Sequence, residues 1–302
     1  MKAVDSYLTV RRAAGYGLKK VEQLLRSFAR FCAEHGEVFV STQTAINWAG
    51  QGSSAPQRAF RLKSVVHFAR FIRAEDQRNE IPPDDVFGGY QIKRRIPFIF
   101  TTEDIEDLVN EALKLGPRGS LRPHVYSTLF GLLGVTGMRV SEALALRFKD
   151  LTADGLVIHD SKFGKSRLLP LHNTTTVALD EYLKKRRLVV PDDDHVFVSW
   201  QNKVLSYSAA RNCFHHLVRT LGFHQRPAQP QPRLHDLRHS YATRSLLSSS
   251  DERYKISRHM LALSTYLGHS SIADTYWYLE ATPQLLARIS NETESFVCGG
   301  RS

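Results

Sequence analysis

Apolar positions recur with a helical period along most of the chain. Across 17–36, Val21, Leu24, Leu25, Phe28, Phe31 and Cys32 fall on one face at i, i+3, i+4, i+7 spacing, and Gly36 suits the position just past a helix end. A short helix follows Ser41 and Thr42, with Ala45, Ile46 and Trp48 available for burial. The stretch 58–73 predicts another amphipathic helix. Phe60, Leu62, Val65, Val66, Phe68, Phe71 and Ile72 point inward, with Arg61, Lys63, Arg70 and Arg73 nearer the surface. Residues 1–80 thus read as a small helical bundle with a basic face.

The periodicity stops at 79–100. Pro82-Pro83-Asp84-Asp85, Gly88-Gly89 and Lys93-Arg94-Arg95 followed by Pro97 predict an extended basic linker over 81–100. Thr101-Thr102-Glu103-Asp104 then carries a capping signature ahead of Ile105, Leu108, Val109 and Leu113, which opens a second domain over 101–302. That domain reads as helical except at 156–171, where LVIHD and RLLPL flank Phe163-Gly164 and predict a β-hairpin. A helix over 207–221 carries Asn212, His215, His216 and Arg219 beside Phe214 and Leu217, and fits a base-reading helix and a core helix equally well. The tail predicts one more amphipathic helix from about 283. The fold class that emerges is mainly α with a small β-hairpin or sheet, in two domains.

Composition narrows the setting. The 302 residues are 42% hydrophobic and 24% charged, values of an ordinary globular protein with enough chain for two cores. Apolar runs such as 129–135 fall far short of the ~18 residues a membrane span needs. The first residues, MKAVDSYLTVRR, lack the apolar stretch of a secretory signal, and three scattered cysteines support neither a disulfide framework nor a zinc cluster. A cytoplasmic protein with no membrane contact is expected. The net charge is +11, and residues 1–100 contribute 16 Lys and Arg against 9 Asp and Glu. This points to an anionic partner, with nucleic acid foremost because phosphate attraction needs no sequence code.

Four stretches could carry chemistry. Arg139 follows Gly137 at the start of a helix, where its fork could meet a phosphate, and Glu142 lies one turn on to hold it; an ordinary surface pair has the same spacing. His235 and Arg238 are three apart and share a helix face, as many solvated residues do. The stretch 266–278, YLGHSSIADTYWY, places His269 after a glycine and offers Tyr276 and Tyr278. A tyrosine can attack phosphorus when cations stabilise its phenolate, although most tyrosines among aromatics are packing residues. Lys162, near the tip of the hairpin SKFGKSRLLPL, could reach a groove or a reacting phosphate, as could Lys165 and Arg167, or could simply be solvated.

Taken in order, TGMRVSE, SKFGKSRLLPL, HDLRH and LGHSSIADTYWY resemble the TGxRxSE, GKxxKxRxxPL, HxLRH and LGHxxxxxTxxY blocks of the tyrosine recombinase, or phage integrase, family. The likeness spans 136–278, and the basic N-terminal bundle is similar to the family's SAM-like core-binding domain. Two departures stand out: Ser161-Lys162 replaces the usual Gly-Lys, and the stretch between Arg238 and His269 is longer than in Xer-type members. The LSTYLGH and DTYWYL wording is closer to integrases of transposable elements.

The resemblance implies a C-shaped clamp around double-stranded DNA and a strand exchange through a 3′-phosphotyrosine. Motif register gives Tyr278 as nucleophile over Tyr276, Arg139, Arg238 and His269 as phosphate-holding donors, His235 as proton acceptor or further donor, and Lys162 as general acid. Lys93, Arg94, Arg95, Lys165 and Arg167 would meet DNA. The implied chemistry needs no metal and no cofactor. It further implies a homotetramer on paired DNA sites, a monomer or dimer off DNA, association with the nucleoid when bound, and accessory recombination proteins. Integration, excision and transposition are all open. A type IB topoisomerase and a non-catalytic DNA-binding regulator on the same scaffold are the competing readings.

Overall fold

The computed structural model describes residues 2–88, 95–161, 165–190, 193–227, 229–248, 253–268 and 275, with side-chain detail excluding 160, 161, 165 and 253–257. The chain divides into two compact units, Met1–Arg95 and Ile96–Ser302.

The first unit is built from α1 (Lys2–Ala13), α2 (Lys19–Glu34), α3 (Thr42–Gly50) and α4 (Ala55–Arg73). Its core joins Leu25 and Phe28 of α2, Trp48 of α3, and Leu62, Val65 and Phe68 of α4. Ser41 caps α3 by accepting the backbone N–H of Thr44, and Gly36 adopts φ +68° after α2. Two features depart from the sequence expectation. Helix α1 packs Val4, Tyr7 and Leu8 into this core, although its short apolar pattern gave no signal at the sequence level. Phe60, expected inside, is 41% exposed and lies beneath the Lys20 ammonium.

The second unit begins with Phe98 and Phe100, both fully buried. It continues through α5 (Thr102–Leu113), α6 (Arg122–Thr136), α7 (Val140–Ala145), α8 (Asn173–Val189), α9 (Tyr207–Thr220), α10 (Asp236–Leu247) and α11 (Arg253–Leu267). Thr101 and Asp104 form the expected reciprocal cap of α5. Between α7 and α8 lies a three-stranded antiparallel sheet, β1 (Leu151–Thr152), β2 (Gly155–Ser161) and β3 (Lys165–Leu169), one strand more than the hairpin predicted. Register pairs Leu156 with Leu169 and Ile158 with Arg167. Residues directly opposite share a face. Buried Leu156, Ile158 and Leu169 therefore define an inward side to which Arg167 also belongs, while Leu168 is 49% exposed on the other.

Helix α9 is a core helix on one side, with Phe214 and Leu217 buried, while Asn212, His216 and Arg219 are exposed on the other. The mainly helical, two-unit fold class stands. Lys93, Arg94, Lys162, His269, Tyr276, Tyr278 and the tail from about 283 lie outside the described residues, as does the side chain of Lys165.

Candidate active site

The predicted cations of the second unit come from three separate elements. Helix α6 ends at Gly137, which takes the left-handed conformation at φ +61° and turns the chain so that Arg139 becomes the residue capping α7. A β-carbon at Gly137 would sit 2.4 Å from Cδ1 of Tyr241 on α10, so the turn needs glycine for space as well as for φ. Glu142, three residues on, accepts the backbone N–H of Arg139 at 2.9 Å and its Nη1 at 2.7 Å. The expected Arg139–Glu142 pair is thus present. It is no surface pair, since the Glu142 side chain is only 7% exposed.

Arg238 rises from the first turn of α10 and is buried. Its Nη1 donates to the carbonyl of Gly137 at 2.8 Å and its Nη2 to that of Leu267 at 2.7 Å. Both carbonyls lie at helix C-terminal ends, where backbone acceptors lack intrahelical partners and the dipole favours cations. Arg244, one and a half turns along α10, donates to the carbonyl of Gly134 at 2.7 Å, so a second guanidinium serves the last turn of α6. Sequence reading passed over Arg244 because an arginine on an amphipathic helix looks solvated.

His235 stands at the head of α10 as an exposed residue, and the ring of His239 packs against it edge-on, with centroids 4.8 Å apart. Crowding by surrounding atoms and the charges of Arg238, Arg233 and Arg139 hold its imidazole down to about 4. At neutral pH the ring is therefore uncharged and able to accept a proton. The same charges show that His235, Arg139 and Arg238 share one neighbourhood. Arg233 is fixed there by Asp236, a fully buried carboxylate that accepts both its backbone N–H and its guanidinium. Asp236 is a member of the site that the motif alone did not single out.

The end of α11 closes the arrangement. Arg139 Nη2 donates to the carbonyl of Gly268 at 2.7 Å, and Gly268 adopts φ +66°. Tyr266 stacks on Tyr241 at 5.6 Å, and burial together with the Tyr241 hydroxyl pushes its phenol up. Tyr266 is a packing residue held in its protonated form.

Arg167 corrects an expectation. Its guanidinium was assigned to DNA, yet it donates to both carboxylate oxygens of Glu142, at 3.0 and 2.8 Å, and through Nε to the carbonyl of Tyr266 at 2.8 Å. Only 11% of the side chain is exposed. The reason is the strand register: position 167 faces inward with Ile158, so its fork meets Glu142 and the end of α11.

The site thus gathers guanidinium groups from the head of α7 and from α10, a neutral imidazole within their field, and the end of α11 bonded to both. Residues 99–284 match the model of the phage integrase family. The chain belongs to that family. It is 36% identical over 303 residues to the putative integrase/recombinase y4rB of Sinorhizobium fredii, covering 97% of this chain and 96% of that protein. It is 31% identical over 240 residues to tyrosine recombinase XerC of Pseudomonas syringae pv. tomato, covering 79% and 74%. Among solved structures, the Tn1549 transposon integrase in complex with transposon right end DNA superposes with a TM-score of 0.64 at 18% identity, covering 96% of this chain and 98% of that one. The XerH recombinase bound to palindromic difH substrate does so at 0.62 and 20%, covering 84% and 73%. These likenesses place this integrase-family chain in the tyrosine recombinase fold.

Proposed function

We propose that the protein is a site-specific DNA recombinase that cuts and rejoins strands through a covalent 3′-phosphotyrosine. The observation that carries this reading is the convergence of Arg139 and Arg238 on the end of α11, directly before His269 in the chain, with His235 in the field of both guanidinium groups. In this scheme the Tyr278 oxygen attacks a backbone phosphorus and passes its proton to His235. The P–O5′ bond breaks, and Lys162 protonates the departing 5′-oxygen. The 5′-hydroxyl of a second strand then reverses the step.

Charge explains the choice of residues. The five-coordinate phosphorus carries anionic oxygens, and guanidinium forks match two of them at once where an ammonium offers a point charge. Removing one such preorganised donor should slow cleavage by ~10²–10³-fold. The phosphate energy is stored in the tyrosyl ester, so rejoining needs no external energy source.

Double-stranded DNA is the partner. The basic first unit, with Lys93, Arg94 and Arg95, supplies phosphate contacts that position the duplex without reading it. Lys165 at the hairpin is a further candidate contact. Named complexes among the solved relatives include a lambda integrase tetramer bound to a Holliday junction. A tetramer on paired sites, with accessory proteins, is the assembly we propose here, for integration, excision or transposition of a mobile element.

The test uses nicked duplexes with a randomised core. Incubation with the protein, followed by denaturing electrophoresis and sequencing of covalently held DNA, recovers the target site. A covalent band that Tyr278→Phe abolishes and Tyr276→Phe retains supports the chemistry and the nucleophile together. Absence of any band overturns the reading in favour of a DNA-binding regulator. Relaxation of a supercoiled plasmid lacking the recovered site overturns it in favour of a topoisomerase.

A further inference from the structure

Three consecutive backbone carbonyls at the end of α11 are each received by a different arginine. Tyr266 is held by Arg167 from β3, Leu267 by Arg238 from α10, and Gly268 by Arg139 from the head of α7. Arg139 and Arg167 are joined a second time through Glu142, whose Oε1 accepts from both guanidinium groups at 2.7 and 3.0 Å. A β-carbon at Gly268 would lie 2.7 Å from Nη1 of Arg167, so a side chain there would push the guanidinium out of its place. Strand, helix start and helix end therefore meet at one carboxylate and one turn.

We propose that Arg167 is a positioning residue for strand cleavage: it fixes the Glu142 carboxylate, and with it the fork of Arg139, while tying the turn that delivers position 269. The proposal rests on the recombinase reading above and deepens it.

Arg167 suits this task better than a contact with DNA. Three of its N–H groups are already engaged within the protein, and its side chain is almost fully enclosed. A carboxylate held only by Arg139 could swing about its terminal torsion, which is soft. A second fork arriving from β3 fixes its plane. A shift of ~1 Å in a group that must meet the reacting phosphate can cost ~10²-fold in rate. Lysine at this position would keep the charge but could not reach Glu142 and the Tyr266 carbonyl in the same planar geometry.

The charged groups facing Glu142 are Arg139 from α7 and Arg167 from β3, and beyond them stand Arg238 and His235 of α10. Among the described residues, Tyr266 of α11 also lies beside this cluster, its carbonyl bonded to Arg167. With Arg167 removed, burial would act on the carboxyl against Arg139 alone, and Glu142 would take up a proton at a higher pH.

The experiment uses the full-length protein and the nicked duplex recovered above. For Arg167→Lys and Arg167→Met it measures thermal unfolding, duplex affinity against salt, and single-turnover cleavage against pH. We expect Arg167→Lys to melt and bind like the unaltered protein but cleave ~10–100-fold more slowly. Arg167→Met should also move the acid limb of the cleavage profile to higher pH, a shift that vanishes when Glu142→Gln is added. Cleavage at the original rate in Arg167→Lys overturns the proposal. So does a rate loss uniform across pH in Arg167→Met. Weaker binding with a salt slope lowered by about one phosphate contact overturns it in favour of a direct DNA contact. If Arg167→Met fails to fold, Glu142→Gln combined with Arg167→Lys decides: effects that simply multiply overturn the proposal, and a combined loss no larger than the greater single loss supports it. Absence of a covalent complex with the unaltered protein is a different outcome, because it removes the recombinase reading itself.

Discussion

Glu142 accepts both the backbone N–H and the guanidinium of Arg139, at 2.9 and 2.7 Å, so one carboxylate caps α7 and aims the arginine that starts it. Burial alone would raise this carboxyl. Hydrogen bonds from Arg167 and Arg139 outweigh that effect and hold it down to about 2. A carboxylate with a depressed pKa contributes stability that is complete above its unfolded value and is lost as pH falls through the folded one. The window here runs from about 4.5 down to about 2, and the contribution is on the order of 3 kcal/mol. Glu142→Ala should therefore destabilise the second unit by roughly 3–5 kcal/mol at neutral pH, because two guanidinium groups lose their shared partner. Denaturant unfolding at pH 7 and pH 3 checks this: the penalty should shrink at the lower pH.

His235 has the same sign in a higher pH window. Its imidazole is held down to about 4 from an ordinary 6.5, so the folded state takes up a proton less readily than the unfolded chain. Stability attached to this ring should be complete above pH 6.5 and erode as pH falls toward 4. An NMR titration should place the His235 midpoint near 4, and Arg233→Gln should raise it because one facing positive charge is gone. DNA phosphate should raise it too, which predicts proton uptake on duplex binding between pH 4 and 6.5 and its absence in His235→Asn.

These relationships were unequally legible in the sequence. The caps at Ser41 and Thr101, the hairpin and the Arg139–Glu142 pair follow from local spacing, and local spacing is what one chain displays. Arg167 was misread because its neighbours Lys162, Lys165 and Ser166 suggested a solvated tip, while the alternation Leu169 inward, Leu168 outward, Arg167 inward was the signal to weigh. The three carbonyls of 266–268 carry no side-chain signature, so their arginine partners, 29 to 129 residues away in sequence, emerge only from the fold.

Gly137 and Gly268 both adopt positive φ, yet their substitution should differ in effect. At Gly137 an added methyl meets the ring of Tyr241, itself stacked on Tyr266, and nothing nearby can retreat cheaply. Gly137→Ala should cost roughly 1–3 kcal/mol of strain and lower the melting temperature. At Gly268 the methyl meets the end of the Arg167 side chain, which can swing aside. Gly268→Ala should melt closer to the unaltered protein while slowing covalent complex formation more than it weakens duplex binding. Calorimetry paired with single-turnover cleavage separates the two; equal kinetic losses at equal stability would contradict the distinction.

Arg186 tests the scaffold rather than the chemistry. It lies in KKRRLV at the end of α8, a run that reads as a solvated charge cluster, and yet its side chain is fully buried. Spacing accounts for this, since Leu179, Tyr182, Leu183 and Arg186 follow one helical face. Its guanidinium donates to the carbonyls of Val190, Asp193 and His195 and to the Asp193 carboxylate, gathering the segment that leads from α8 back to the core at Val196 and Phe197. A methionine would fill the apolar part of the same space but leave those acceptors without a donor. Unmet buried acceptors cost more than the bond itself contributes. Arg186→Met should therefore destabilise the second unit by roughly 3–5 kcal/mol, and Arg186→Lys by nearly as much because one ammonium cannot span four acceptors. Arg187→Met, whose guanidinium lies 5.0 Å from the Phe148 ring centroid at the surface, should stay within ~0.5 kcal/mol of the parent. Denaturant unfolding of the three variants checks the contrast, and an Arg186→Met protein as stable as Arg187→Met would show that the segment is held by other means.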